Sequence, residues 1–428
     1  LELQNATPEQ LTQWEQALAS EYEQHCQQNM RLDLTRGKPS SEQLSLADAL
    51  DGILKGNYTS ANGIDARNYG GLEGLAEARQ LGADILGLEM EQVLALGNSS
   101  LSLMFLAMSV AYHHGFNGPE SAWKNQPVTK FICPVPGYDR HYGVCETLGI
   151  EMITVAMTET GPDMEAIEAL LACDPTIKGL WCVPKYSNPT GTVYSDATVE
   201  RIAKLGLIAG EGFRVFWDNA YAVHDLSTTP KSLAPIMAYC QQHNTIDSVI
   251  QFASTSKITH AGAGVAFIGM SADNIRAFNK VWSASSIGPD KVNQLRHMRL
   301  LPNYEALLQH MQKHAQIIKP RFQCVLEHLE NAFATNDLGQ WESADGGYFI
   351  SFHTRKGLAK DVVALAAQAG VKLTPAGATF PYGRDPEDSN IRIAPTVPTV
   401  EDVDAAMKVF VTCVKLASVR QALKANAQ

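Results

Sequence analysis

The stretch Ser254-Thr255-Ser256-Lys257, followed closely by Ala261-Gly262-Ala263-Gly264, sets the reading of this chain. It comes after a mostly apolar run, Ser248 to Phe252, that reads as a buried strand, and it leads into a turn rich in small residues. A lysine in that position is partly desolvated and so more readily deprotonated, and its small neighbours leave the amine reachable. Those are the requirements of a lysine that forms a Schiff base. Most lysines are solvated surface charges, so the assignment of Lys257 depends on the rest of the chain.

Working outward, short apolar or β-branched runs recur at Val93–Leu96, Thr129–Cys133, Glu151–Val155, Gly179–Val183, Arg214–Trp217, Ser248–Phe252 and Val265–Ile268. Helical periodicity lies between most of them, as in Ala197–Gly206 and Ser232–His243. Strands alternating with helices predict an α/β fold with a predominantly parallel sheet, whose ligands sit beyond the C-terminal ends of the strands. The polar residues fall at those ends. Gly97-Asn98-Ser99-Ser100 follows the first run and opens a helix, an arrangement of amides and hydroxyls suited to phosphate. Pro134-Val135-Pro136-Gly137-Tyr138, then Pro184-Lys185-Tyr186-Ser187-Asn188-Pro189-Thr190-Gly191, then Asp218-Asn219-Ala220-Tyr221 follow later runs, and Lys257 completes the series.

On the N-terminal side, Leu11, Trp14, Leu18 and Tyr22 mark an amphipathic helix over 8–30, with Thr7 and Gln10 as a capping box. Leu32-Asp33-Leu34 reads as a short strand entering the turn Thr35-Arg36-Gly37-Lys38-Pro39, which is either a carboxylate dock or an exposed basic turn. Arg67-Asn68-Tyr69-Gly70-Gly71-Leu72-Glu73-Gly74 precedes another helical pattern and suits either an anion site or a plain connection. Beyond Pro289 the pattern changes to a long helix at Tyr304–Asn331, an alternating strand at Gly346–Phe352, a helix at Leu358–Ala369, the strand Ile391-Arg392-Ile393 and a helix at Glu401–Ala417 with a Thr399/Asp402 cap. The division expected is 1–60 as the N-terminal segment of a small domain, 61–300 as a large domain, and 301–428 as the C-terminal part of the small domain.

Composition narrows the classes. With 428 residues, 45% hydrophobic and 18% charged, the chain buries a large core and is not disordered. A formal net charge of -11 without basic runs argues against a nucleic-acid partner. The eight cysteines show no CxxC spacing, so neither a disulfide framework nor a metal site is expected, and a reducing cytoplasm is the expected location. The uncharged stretch Val93–Pro119 is long enough to span a bilayer, but Gly97, Asn98, Ser99, Ser100, Ser102, His113 and His114 interrupt it; the reading is strand, polar loop and buried helix, not a membrane span. The first residues show no basic segment before an apolar core, so no secretory signal is expected.

Taken in order, Asn188-Pro189-Thr190-Gly191, Asp218-x-x-Tyr221, Ser254-x-Ser256-Lys257 and Arg392 resemble the fold-type I pyridoxal-phosphate enzymes, specifically class I/II aminotransferases, over nearly the whole chain. The wording of Leu34–Pro39, Ser187–Gly191 and Ser256–Gly262 is most similar to the divergent bacterial aspartate aminotransferases related to the aminotransferase domain of MocR-type regulators. No DNA-binding domain is expected ahead of it. The resemblance implies a seven-stranded, predominantly parallel sheet flanked by helices, a smaller α+β domain from both chain ends, pyridoxal 5'-phosphate as cofactor, amino acid and 2-oxo acid substrates, and a homodimer with composite sites. It implies that Lys257 carries the cofactor and shuttles a proton. Asp218 would face the pyridine nitrogen, although a strand-end aspartate also caps helices. Tyr221 and Asn188 would donate to the phenolic oxygen, and Tyr138 would stack on the ring unless it is a core tyrosine. Ser99, Ser100, Ser254 and a partner subunit's Tyr69 would hold the phosphate. Arg392, with Asn188 and Gly37, would hold the substrate α-carboxylate.

Two positions depart from that pattern. Val265 stands where most relatives place a phosphate-binding arginine, leaving Arg36 and Lys185 as substitutes, and Trp282–Ile287 lacks the arginine that binds a distal carboxylate. Arg36 is the expected replacement for the latter. The leading function is transfer from L-aspartate to 2-oxoglutarate by a ping-pong route. Competing functions are transamination of aromatic amino acids or alanine, a lyase or decarboxylase reaction, and a cofactor-binding sensor without turnover.

Overall fold

A computed structural model describes residues 2–342 and 344–426. Its large sheet runs in the order Val93–Ala95, Ala266–Gly269, Val249–Ser254, Arg214–Asp218, Ile177–Cys182, Lys130–Val135, Glu151–Thr158 and Gly161–Pro162. The five strands from Val249–Ser254 to Glu151–Thr158 are mutually parallel, while Ala266–Gly269 runs against both its neighbours. All seven runs marked in the sequence are strands of this sheet. The eighth strand, Gly161–Pro162, pairs antiparallel with the end of Glu151–Thr158 and is too short to carry a periodic signal.

The central strands are buried along nearly their whole length because helices cover both faces. The helix Ser100–His113 illustrates the chemistry: it is hydrophobic nearly all round, its Leu103, Met104, Ala107 and Met108 are buried, and it follows the strand Val93–Ala95 after a polar loop. Among the described residues no helix is long and apolar enough to cross a membrane.

Both chain ends build a second layer. Leu32–Leu34 pairs in parallel with Val371–Leu373, and Gly339–Trp341, Ile350–Thr354 and Asn390–Ile393 form an antiparallel sheet. The first helix, Pro8–Gln27, lies along the last, Val400–Asn426, and both share one core with the long helix Tyr304–Phe333. Thr7 and Gln10 make the expected reciprocal cap. The helix stops before residue 30 because Asn29 turns left-handed at φ 50°.

Local differences from the sequence reading have local causes. The helix expected over Ser232–His243 begins at Ile236, since Pro235 restricts the residue before it and has no N–H to give. The strand expected over Gly346–Phe352 begins at Ile350 because Gly347, at φ 78°, cannot lie in a strand, and its residues are almost wholly buried instead of alternating. The last helix runs past Ala417 to Asn426, and Thr399 Oγ1 accepts from Asp402 N–H at 3.1 Å.

Candidate active site

A cavity of about 440 Å³ opens where the parallel strands end, between the large sheet and the layer built by the chain ends. It is set there by topology, because each parallel strand delivers its following loop to one edge. Tyr138 arrives after Lys130–Val135, Asn188 after Ile177–Cys182, Asp218 and Tyr221 with Arg214–Asp218, and Lys257 after Val249–Ser254. Arg36, Gly37, Phe349, Thr374 and Arg392 come from the other side.

Lys257 is half-buried, with Nζ 5.3 Å from the centre of the Tyr221 ring and 5.9 Å from that of Tyr348. Burial pushes its pKa down; the Asp218 charge opposes that shift and Arg392 adds to it. Asp218 is buried, and its Oδ2 accepts a 2.8 Å hydrogen bond from His141 Nε2. His141 is braced flat against Trp181, with ring centres 4.1 Å apart, and meets Tyr138 edge-on. Asp218 Oδ1 has no partner among the described residues. A buried carboxylate oxygen with nothing to accept from is costly, so this atom points to a donor that a ligand brings. Burial also holds the phenols protonated, pushing Tyr138 up to about 12 and Tyr221 well above its ordinary value.

At the other end Arg392 is held by a set of fixed acceptors. Nε donates to Thr374 Oγ1 at 3.3 Å, Nη1 to Asn188 Oδ1 at 3.2 Å, and Nη2 to the Thr35 carbonyl at 3.3 Å. The Phe349 ring lies 4.5 Å below the guanidinium, and Asp139 Oδ1 is 3.7 Å away. Each Nη keeps one N–H that these bonds do not use, the fork that a carboxylate accepts. Gly37 is required by contact: a Cβ there would meet Phe349 Cζ at 2.3 Å.

The serine end is built differently. Ser100 lines the cavity, while Ser99 caps the helix Ser100–His113 by accepting from Ser102 N–H. Ser254 Oγ donates to Ser256 Oγ at 3.1 Å, which donates to the Asn98 carbonyl at 3.2 Å, so the loop before Lys257 is tied to the loop before that helix. Val265 is fully buried and carries no charge to this end. Lys185 is engaged elsewhere, with Asp225 at 2.8 Å and the Ala222 carbonyl at 3.0 Å, so it does not replace the missing arginine. Arg36 lines the cavity and is exposed. Tyr69 does not reach the cavity; it stands 83% exposed in a separate cleft of about 600 Å³ with Ile287, Gly288 and Lys291.

Sequence reasoning missed Asp139, Arg140, His141, Phe349 and Thr374. The signal for the first three was adjacency, because they open the helix Asp139–Thr147 directly after Tyr138. Phe349 and Thr374 gave none, since their roles arise from pairing with Arg392 across the fold.

The family model described as aspartate amino-transferase matches residues 6–426. A putative aminotransferase of Mycolicibacterium smegmatis is 46% identical, over 91% of each chain. The aspartate aminotransferase of Corynebacterium glutamicum is 43% identical, over 97% of this chain and 96% of its own. A crystal structure of an aspartate transaminase from Corynebacterium glutamicum superposes with a TM-score of 0.95 at 42% identity, covering 99% of both chains.

Proposed function

This chain belongs to the aspartate amino-transferase family, and from that premise we propose that it moves the amino group of L-aspartate to 2-oxoglutarate by a ping-pong route, with pyridoxal 5'-phosphate carried on Lys257. The carrying observation is the pairing, within one cavity, of a half-buried lysine whose pKa burial lowers and a buried carboxylate oxygen awaiting a donor. A protonated pyridine nitrogen is such a donor. When bound, the cofactor supplies a sink for the electrons released as the substrate Cα–H bond breaks.

The remaining work falls to side chains. Asp218 Oδ1 would accept from the ring nitrogen, and His141, braced on Trp181, fixes the other carboxylate oxygen so that Oδ1 keeps its aim. Lys257, whose charged form burial disfavours, takes the proton from Cα and returns it. The amide nitrogen of Asn188 and the hydroxyl of Tyr221 would donate to the cofactor's phenolic oxygen, and Tyr138 would cover its ring. Ser99 and Ser100, at a helix N-terminus, and Ser254, at the end of the strand Val249–Ser254, would receive the phosphate. The free N–H fork of Arg392 binds the substrate α-carboxylate, with Gly37 allowing close approach.

The distal carboxylate is assigned to the exposed cations of the cavity rim, Arg36 first and Arg140 with it. We assign Tyr69 to the neighbouring site of a homodimer, because a tyrosine and Ile287 exposed together are apolar surface that a second copy would cover. Initial rates with L-aspartate, L-alanine and L-phenylalanine, each with 2-oxoglutarate, test the reading. Aspartate should be preferred, and Arg36→Ala should cut aspartate turnover by about tenfold or more while sparing alanine. Equal effects on both amino acids would remove Arg36 from the assignment.

A further inference from the structure

Beside Lys257, outside the lining of the cavity, lies a buried polar network that the reaction as described does not use. Gln43, from the short helix Ser41–Ser45, is fully buried. Its Oε1 accepts from Ser40 N–H at 3.0 Å, which leaves its amide nitrogen as the donor to Tyr348 Oη at 2.8 Å and to His314 Nδ1 at 3.1 Å. His314 Nδ1 is therefore an acceptor, and the neutral ring carries its proton on Nε2. That nitrogen donates to the carbonyl of Ile258 at 2.8 Å. His310, one turn earlier on the helix Tyr304–Phe333, reaches the same carbonyl from its Nε2 at 2.7 Å. Tyr348 Oη, having accepted from Gln43, donates to the Lys257 carbonyl at 3.4 Å.

The two carbonyls held in this way belong to Lys257 and to the residue after it. We propose that Gln43, His310, His314 and Tyr348 are positioning residues that fix the peptide carrying Lys257, and so set where its amine points for proton transfer at the substrate Cα. This inference rests on the proposed function and adds to it a buried support reaching from the N-terminal segment to the lysine. Two neutral N–H donors converging on one carbonyl is an arrangement that tolerates no added charge. Burial supplies that condition, holding His314 down to about 4 and His310 below its ordinary value. The groups facing the pair are His224, Tyr348, Gln43 and the Lys257 loop, together with Lys313 on their own helix.

A general packing role predicts lost stability; a positioning role predicts a misaimed lysine in a folded protein. The test compares His314→Leu, His314→Gln and Gln43→Leu. A glutamine at 314 places an N–H near the original Nε2, whereas leucine removes it. In the loaded enzyme, His314→Leu should lower kcat for aspartate by roughly tenfold or more with KM changed less than twofold, and His314→Gln should recover most of the loss. In cofactor-free protein, the visible band formed when pyridoxal 5'-phosphate is added should develop more slowly in His314→Leu and Gln43→Leu than in wild type. Melting temperatures taken alongside separate misfolding from misaiming. If kcat and band formation match wild type in both leucine variants, or if glutamine recovers stability but not rate, the inference is overturned. A wild-type protein that forms no band at all would instead overturn the proposed function, whatever the variants do.

Discussion

The two ends of the cavity are built from opposite kinds of polar group. At one end Arg392 is a buried full charge, locked by Thr374, Asn188 and the Thr35 carbonyl and backed by the Phe349 ring. At the other, Ser99, Ser100 and Ser254 offer hydroxyls and a helix N-terminus, and the fully buried Val265 brings no charge. A bidentate guanidinium fixes orientation as well as affinity, which suits the substrate group that must be aligned for chemistry. A group that stays bound through turnover needs only to be retained, and dipoles at a helix start do that without a buried counter-charge.

The sharpest way to break the comparison is Arg392→Ala. It should lower kcat/KM for aspartate by about 10³-fold, since it removes a buried, hydrogen-bonded charge, while cofactor affinity changes little. A comparable loss of cofactor would show that the two ends are not separable. Gly37→Ala comes next. The added methyl would displace Phe349 from beneath Arg392, raising aspartate KM by roughly 30-fold with the visible spectrum of the cofactor unchanged. Ser254→Ala should act in the opposite sense, weakening cofactor retention by about tenfold as read by equilibrium dialysis, with KM for aspartate within twofold of wild type.

The last effect is one of stability and concerns the sheet under Arg392. Glu342 N–H donates to the carbonyl of Ser351, which pairs with Arg392 in the antiparallel sheet, and burial pushes the Glu342 carboxyl up to about 7 from an ordinary 4.5. A raised folded-state value means that the folded protein binds this proton more tightly than the unfolded chain. The contribution is therefore present below pH 4.5 and is lost as the pH rises through 7. Glu342→Gln should add up to about 3 kcal/mol at pH 8 and nothing at pH 4, measured by denaturant melts at both values. Equal effects at the two values would show that ionisation is not the cause.

How much of this was legible in the sequence follows the same division. The large sheet was readable because parallel strands covered on both faces are continuous apolar runs, and the residues at their ends, Tyr138, Asn188, Asp218, Tyr221 and Lys257, come as linear motifs. Gly161–Pro162, Gly339–Trp341 and Val371–Leu373 were not, since two or three residues carry little periodic signal; Leu32–Leu34, equally short, was readable from the Gly/Pro turn it enters. The surroundings of Arg392 were hidden for another reason. Thr35, Asn188 and Arg392 are separated by more than a hundred residues at each step and meet only when the two layers pack. His141 is a milder case, a histidine inside a helix whose partner Asp218 lies 77 residues away.

The measurement that bears most directly on the account is the visible absorption spectrum of the purified protein, supplied with pyridoxal 5'-phosphate and titrated with L-aspartate in the absence of any oxo acid. The account predicts a long-wavelength band from cofactor held on Lys257 that moves to shorter wavelength as aspartate is added and returns when 2-oxoglutarate follows. A band that ignores aspartate but responds to another amino acid would contradict the substrate, and no band at all would contradict the assignment of Lys257.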